Sequence, residues 1–369
     1  MSSTFSEEQD QLRDLVRSFL EQKSPSSEVR RLMDSNECGD KAVWRQMADQ
    51  LGLQGVSIEE QYGGSGCGVT ELGIVAEEMG RALFVSPYFS TVVMAGQTLS
   101  SCEDTNARAR WLPGIADGSL TATLAVTESS GRWDLSEVAT YAKHEQGEWL
   151  LTGTKMFVID GHTADLILVA ARTDSGLAVF GVDGGSVGLT RSKLDAIDQT
   201  RALSVVEFSR TPGILLAGDG ADLLDRAADL IVSVLANEQI GGAAMCLEMA
   251  VDYAKVREQF GRPIGSFQAI KHKCADMLLE VESGRSAAYH AAAVAADGSV
   301  ESSIGASLAK AYCSDAYTHS AKENIQIHGG IGFTWEHDAH LHLKRAKSSE
   351  ILFGNPSEHR TRLADLVGI

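Results

Sequence analysis

Little in this chain would bind it together covalently or hold it in a membrane. Its six cysteines, Cys38, Cys67, Cys102, Cys246, Cys274 and Cys313, are widely dispersed. With no Cys-x-x-Cys pair and no histidine-spaced metal pattern they read as reduced thiols, which excludes a disulfide or zinc framework; no metal is expected. Basic residues are scarce, 32 against 50 acidic ones for a formal charge of -18, which argues against a nucleic-acid or anionic-membrane partner. Any bound phosphate therefore needs a local basic site. Apolar runs such as 291–296 fall well short of the roughly 18 residues that span a bilayer. The acidic opening Phe5-Ser6-Glu7-Glu8-Gln9 leads into no apolar signal region, so a cytoplasmic protein is expected.

What is present is a soluble globular composition, 369 residues with 44% hydrophobic and 22% charged, long enough for two or three core-forming units. Phe5, Leu12, Leu15, Val16, Phe19 and Leu20 recur at helical spacing, with Ser6 and Gln9 as a capping box. Further helices are expected over Ala42–Leu51, Val69–Leu83 and Tyr88–Leu99. The glycine-rich run Tyr62–Gly68 between them lacks Gly-x-Gly-x-x-Gly spacing and a preceding strand, so it reads as a connector. Near Leu120 the pattern changes to short segments rich in Val, Leu, Ile and Thr: Leu120–Val126, Val138–Lys143, Glu148–Ile159, Asp165–Ala171, Leu177–Val182 and Leu203–Phe208. Glu145-Gln146-Gly147-Glu148 fits a hairpin turn, and the close spacing favours a small antiparallel sandwich or barrel. After Pro212-Gly213 come long Ala-rich helices, about Gly220–Val256, Phe267–Asp297, Ser302–Gly329 and His337–Gly354, lengths that suit an antiparallel four-helix bundle. The fold class is α+β in three domains: an N-terminal helical domain (1–119), a middle antiparallel β domain (120–214) and a C-terminal four-helix bundle (215–369).

The turn between the first two bundle helices carries chemistry of its own. Arg257 and Arg262 flank Phe260 beside glycines, a set suited to a pyrophosphate and a flat ring, although an ordinary interhelical loop with surface arginines has the same residue types.

The order helical, β, helical, with certain words at certain places, resembles the acyl-CoA dehydrogenase family over essentially the whole chain. Those words are Leu53-Gln54-Gly55-Val56 with Gln61-Tyr62-Gly63-Gly64, Val126-Thr127-Glu128, Lys155-Met156-Phe157-Val158-Ile159-Asp160-Gly161, Arg257-Glu258-Gln259-Phe260-Gly261 and Gln326-Ile327-His328-Gly329-Gly330-Ile331-Gly332-Phe333. The resemblance implies a flavoprotein that oxidises an acyl-CoA to its 2,3-enoyl thioester: a carboxylate takes the α proton, a hydride leaves to the flavin, and an electron-transfer flavoprotein reoxidises the FAD. It also implies an FAD lying across a subunit interface. By that match Thr127 and Phe157 belong to the flavin-facing part, while Arg257, Phe260, Gln268, Gln326, Gly329 and Gly330 face the partner's cofactor. Asp229 aligns with a position near the CoA arm, with a plain surface carboxylate as the alternative.

The chain departs from the family at the chemistry. After Thr127-Glu128 the usual Pro-Gly-Ala-Gly-Ser-Asp loop is replaced by Ser129-Ser130-Gly131-Arg132-Trp133-Asp134, so an arginine and an indole stand where small residues leave room for flavin. Ile159 stands where a threonine hydroxyl often reaches the flavin, and it can donate no hydrogen bond. The base position aligned on Gly354 holds Phe353, and the alternative base position, counted back from Arg257, holds Ile231. One acidic candidate remains, Glu238, two helical turns beyond Ile231 and about 10 Å along the axis. Its plain alternative is a carboxylate paired with a neighbour.

Three readings follow. In the first, the chain is the base-lacking subunit of a heterotetramer of two different family members, like those of actinobacterial enzymes acting on steroid side-chain CoA thioesters, and completes the FAD site of a catalytic partner. In the second it is a self-sufficient homotetramer using Glu238 or another carboxylate. In the third it is a flavin-free paralogue that binds an acyl-CoA or a partner without turnover.

Overall fold

The computed structural model describes residues 5–295 and 299–369. By its contacts the chain divides into two compact units, one built from the chain up to Arg30 with Val69–Phe84 and Val232–Ile369, the other from Arg31–Gly68 and Val85–Ile231.

In the second unit the helices α3 (Lys41–Leu51), α5 (Gln97–Ser100) and α6 (Thr105–Ala116), with a fully buried π-helical stretch over Phe89–Gly96, accompany a seven-stranded sheet. Its strands are β1 (Ala122–Ala125), β2 (Tyr141–Glu145), β3 (Glu148–Ile159), β4 (Leu166–Thr173), β5 (Gly176–Asp183), β6 (Leu189–Leu194) and β7 (Leu203–Ala217). The expected β2–β3 hairpin forms, with Gln146 and Gly147 both at positive φ as a tight turn of right-handed twist requires. The pairings are mostly antiparallel, as expected, but two, β1–β4 and β2–β4, are parallel. Periodicity cannot report strand direction, because side chains alternate in the same way in both. The apolar faces enclose a core that includes Leu151, Ile167, Val169, Phe180 and Val206.

The first unit contains α1 (Glu7–Lys23), α4 (Val69–Arg81), most of α7 (Gly220–Val256), and α8 (Gln268–Val294), α9 (Val300–His328), α10 (Ala339–Ile351) and α11 (Pro356–Val367). The Ser6–Gln9 capping box forms at α1. The expected end of α8 at Asp297 lies outside the described residues. Helices α4 and α7 touch backbone to backbone: a Cβ on Gly241 would stand 1.9 Å from the Glu77 carbonyl oxygen, and one on Gly80 2.0 Å from that of Glu238. Only glycine allows this crossing. It brings the buried pair Glu77 and Glu78 among Arg13, Arg17, Arg81, Arg285 and Tyr289, which satisfy the two carboxylates. Within α7 an 18-residue window is apolar enough to cross a membrane by length and composition, but 83% of it is buried within the protein, as in a core helix.

Among the elements that sequence periodicity passes over are α2 (Ser26–Met33), α6, β6 and α11. For α11 the signal was there to read. Asn355 caps it, Glu358 closes a capping box, and Pro356 occupies the first turn.

Candidate active site

Thr127 and Phe157 meet at a β-bulge. Strand β3 pairs with β7 at Lys155↔Val206 and next at Val158↔Ser204, so Met156 and Phe157 are looped out of register. Thr127 holds the bulge by donating its hydroxyl to the Met156 carbonyl at 2.7 Å and accepting from Met156 N at 3.0 Å. A bulge re-aims the side chain it carries. Phe157 accordingly takes a left-handed backbone (φ +59°) and leaves its ring 38% exposed, whereas Ile159 is buried. Such a φ is a strained conformation for an aromatic residue, costing on the order of 1–2 kcal/mol.

Beneath the bulge lies a group that the sequence alone did not mark. Lys155 is fully buried; its Nζ donates to the Val126 carbonyl at 2.9 Å and to Glu128 Oε1 at 2.8 Å. Burial pushes the Lys155 ammonium down to about 8, against the pull of Glu128. Burial raises the Glu128 carboxyl, but hydrogen bonds from Lys155 and Thr140 outweigh it and hold that carboxyl below its ordinary value. Arg132, expected to crowd a flavin, carries a 62% exposed side chain facing Glu137 at 3.8 Å, and Trp133 is half-buried.

The Arg257 turn has a different character. Glu258–Gln259 and Arg262–Pro263 form a two-stranded ribbon, β8 and β9, whose tip carries Phe260 at φ +55° and 91% exposed. The Arg262 guanidinium lies 4.1 Å above the Phe267 ring. Arg257, Gln268, Gln326, Gly329 and Gly330 are all exposed, and among the described residues no group bonds to the Arg257 guanidinium. Beside the turn a groove of about 460 Å³ runs between Val251, Ala254, Pro263 and Ile270, with Lys255 and Lys271 in its lining. Cβ atoms added at Gly261, Gly329 or Gly330 would meet nothing within 4 Å. These residues fit a pyrophosphate-bearing, flat-ringed group such as FAD: a free guanidinium for the phosphates, glycines that admit close backbone approach, and an apolar groove. His328 is not part of this exposed set. It is buried, donates Nδ1–H to the Asn324 carbonyl at 2.8 Å and stacks on Tyr253 at 4.2 Å.

The acidic candidates are placed as follows. Glu238 is 5% exposed and its carboxylate accepts from the buried Arg345 guanidinium of α10 at 3.2 Å. The Glu238 carboxylate is thus engaged by a buried arginine of the same helical unit, the arrangement of a carboxylate paired with a neighbour. Asp229 is buried at 7% exposure rather than lying on an open surface. Phe353 is buried with φ +58°, and His359 Nε2 donates to its carbonyl at 2.9 Å. Upstream of it the fully buried Lys310 donates to the Ser349 and Glu350 carbonyls, each at 2.9 Å, and to Ser314 Oγ at 3.0 Å. Burial pushes the Lys310 ammonium down to about 7. Among the described residues no group of three or more His, Cys, Asp or Glu could hold a metal ion.

A helical–β–helical chain with a guanidinium-bearing turn, an exposed Gly-Gly segment and a bulged aromatic on its sheet has the architecture of a flavoprotein oxidoreductase of acyl thioesters. Family models agree: those for the acyl-CoA dehydrogenase N-terminal, middle and C-terminal domains match residues 6–119, 123–210 and 232–367. The chain belongs to the acyl-CoA dehydrogenase family. It is 33% identical over 362 residues to acyl-CoA dehydrogenase IpdE2 of Mycolicibacterium smegmatis, covering 97% of this chain and 98% of that protein. Among solved structures it is similar to a variant of the Tcur3481–Tcur3483 steroid ACAD (TM-score 0.90, 30% identity, 98% of each chain). It is also similar to the ChsE4–ChsE5 complex from Mycobacterium tuberculosis (TM-score 0.91, 28% identity, 100% of this chain and 99% of that one).

Proposed function

We propose that this chain is the base-lacking subunit of an FAD-dependent acyl-CoA dehydrogenase, and that it completes the FAD site of a second, catalytic family member. The observation that carries this reading is the Arg257 turn: an unbonded guanidinium beside a strained, 91% exposed phenylalanine. A strained, exposed aromatic of this kind gains when a ligand or neighbour covers it. Arg257 would fork onto the pyrophosphate, Phe260 would lie against the cofactor, and Gln268, Gln326, Gly329 and Gly330 would hold its nucleotide end. FAD, when bound, supplies the hydride acceptor for α,β-dehydrogenation, and an electron-transfer flavoprotein would reoxidise it. Thr127 and Phe157 would face the flavin ring, with Asp229 toward the CoA arm. The α proton would go to a carboxylate of the partner, since Phe353 and Ile231 can accept none and Glu238 is held by Arg345. Two of the similar structures, Tcur3481–Tcur3483 and the ChsE4–ChsE5 complex, each name two gene products, and the first is a steroid ACAD, which supports a heterotetramer and a steroid acyl-CoA as substrate class.

Expression separates the readings. The chain alone is expected to be nearly colourless and to become yellow on co-expression with a family member that carries the missing glutamate. In that complex Arg257→Ala should lower flavin content about tenfold or more, as loss of a charged phosphate contact does. Unchanged flavin would overturn the interface assignment. A yellow chain that is bleached alone by acyl-CoA would establish the homotetramer, and a colourless, stable protein in both conditions the flavin-free paralogue.

A further inference from the structure

The segment 128–140, which replaces the family's glycine-rich loop, is tied at its neck and along its far limb. At the neck, Glu128 Oε2 accepts from Ala139 N at 3.0 Å and Oε1 from Thr140 N at 2.9 Å, so one carboxylate joins the first residue of the segment to its last two. Lys155 Nζ holds that carboxylate and the Val126 carbonyl together. Along the far limb the Arg172 guanidinium of β4 donates to three backbone carbonyls within four residues: Nε to that of Val138 at 2.7 Å, and Nη2 to those of Ser136 at 2.8 Å and Leu135 at 3.2 Å.

The interior is closed as well. Gly131 N bonds the Glu128 carbonyl at 2.9 Å, and Asp134 caps the 3₁₀ turn Leu135–Glu137 through Ser136 N. The middle of the segment then lies on the bulged aromatic: a Cβ added at Gly131 would come 3.2 Å from Phe157 Cε2. A segment with two independent anchors and its own internal turns has little conformational freedom left to lose when a ligand arrives.

We propose that Lys155, Glu128 and Arg172 are positioning residues that hold Ser129–Asp134 as a fixed wall against the Phe157 ring. A flat aromatic group on the Phe157 side then meets a preset surface carrying Arg132 and Trp133, and the segment does not act as a closing lid. The anchoring is a property of this chain alone; only its meaning for flavin rests on the subunit reading above.

Arg132 supplies the probe, because its exposed side chain offers trypsin a cleavage point that only a released segment can present. In the full-length protein under native conditions, cleavage after Arg132 is expected to be slow. Arg172→Ala and Lys155→Met should each speed it roughly tenfold or more, as loss of several hydrogen bonds at one anchor implies. The accelerated cut should stay confined to that bond and be insensitive to low urea, the mark of local release; a merely structural role would give urea-dependent cutting at many bonds. If Lys155→Met does not fold, Arg172→Ala, at the sheet edge of the segment, decides the matter by itself. In the co-expressed complex the same variant should lose flavin several times faster on dialysis while the assembly stays intact. Wild-type protein cut after Arg132 as fast as the unfolded chain, or variants cut no faster than wild type, would overturn the proposal. Confined cleavage without faster flavin loss would leave the wall standing and count against the subunit reading.

Discussion

The bulge at Thr127 and Phe157 and the turn at Arg257 and Phe260 both store strain in a left-handed phenylalanine, but they differ in what opposes it. At the bulge the chain supplies its own ties: Thr127 holds the looped-out backbone, and Lys155 and Glu128 lock the segment below. At the turn the strained residue projects on a two-stranded ribbon of two residues per strand, beside a guanidinium that nothing among the described residues engages. The first arrangement is preorganised by the chain itself. The second leaves its phenylalanine and its guanidinium exposed. Two buried lysines repeat the contrast in milder form. Lys155 has a carboxylate partner and is held near 8, while Lys310 has only carbonyls and a hydroxyl within hydrogen-bond reach and falls to about 7. Burial lowers both, and nearby carboxylates oppose it in each.

The sharpest way to break this comparison is inside the bundle, where the interior should prove as over-determined as the bulge. Gly241→Ala is expected to cost about 3 kcal/mol or more in urea unfolding, because its Cβ would strike a backbone carbonyl that cannot rotate away. Gly261→Ala, in the open turn, should cost only about 1 kcal/mol, for its positive φ alone. Next, Lys155→Met should cost about 3 kcal/mol by leaving Glu128 without its buried cation, whereas Arg257→Ala should change stability by less than about 0.5 kcal/mol. An equal loss from both would erase the distinction between them. Glu238→Gln should cost about 2 kcal/mol through the uncompensated Arg345, while a competent complex keeps most of its activity. A loss of activity above roughly a thousandfold would make Glu238 the base.

The smallest effect is in pH. A lysine whose folded value is lowered binds its proton more weakly in the native than in the unfolded chain, so its contribution to stability rises with pH between those two values. Measured against Lys310→Met, the wild type should gain about 1–2 kcal/mol between pH ~7 and ~8.5, at 1.36 kcal/mol per unit. Measured against Lys155→Met, the gain should begin about one unit higher. Coincident onsets would mean that Glu128 does not hold Lys155.

Residue order alone conveyed much of the fold, and the reason is periodicity. The capping box at Ser6, the Gln146-Gly147 hairpin and the long Ala-rich helices all rest on contacts between near neighbours in sequence. Strand direction escaped it, as did α6, which carries Pro113 in its interior, and the short, polar β6. At the proposed site, Arg257 and Phe260 can be singled out from sequence because their residue types suit phosphate and a flat ring whatever surrounds them, and Gly329 and Gly330 through the family resemblance. Lys155 and Lys310 cannot be, since a lysine's burial depends on partners 27 and 39 residues away. Nor could spacing disclose the fate of Glu238, whose partner Arg345 lies 107 residues downstream.

By itself, then, the sequence determined the succession of helix and strand and the turn chemistry around Arg257, because each of these depends on residue type and local spacing; that Phe353 stands at a carboxylate's position is what the family resemblance implies. The tertiary structure alone decided which charges are buried and by what they are held: Lys155 by Glu128, Glu238 by Arg345, Lys310 by the end of α10. It also decided that Phe157, Phe260 and Phe353 all stand in left-handed backbone. Burial and strain are properties of what surrounds a residue, and here the surroundings come from distant parts of the chain.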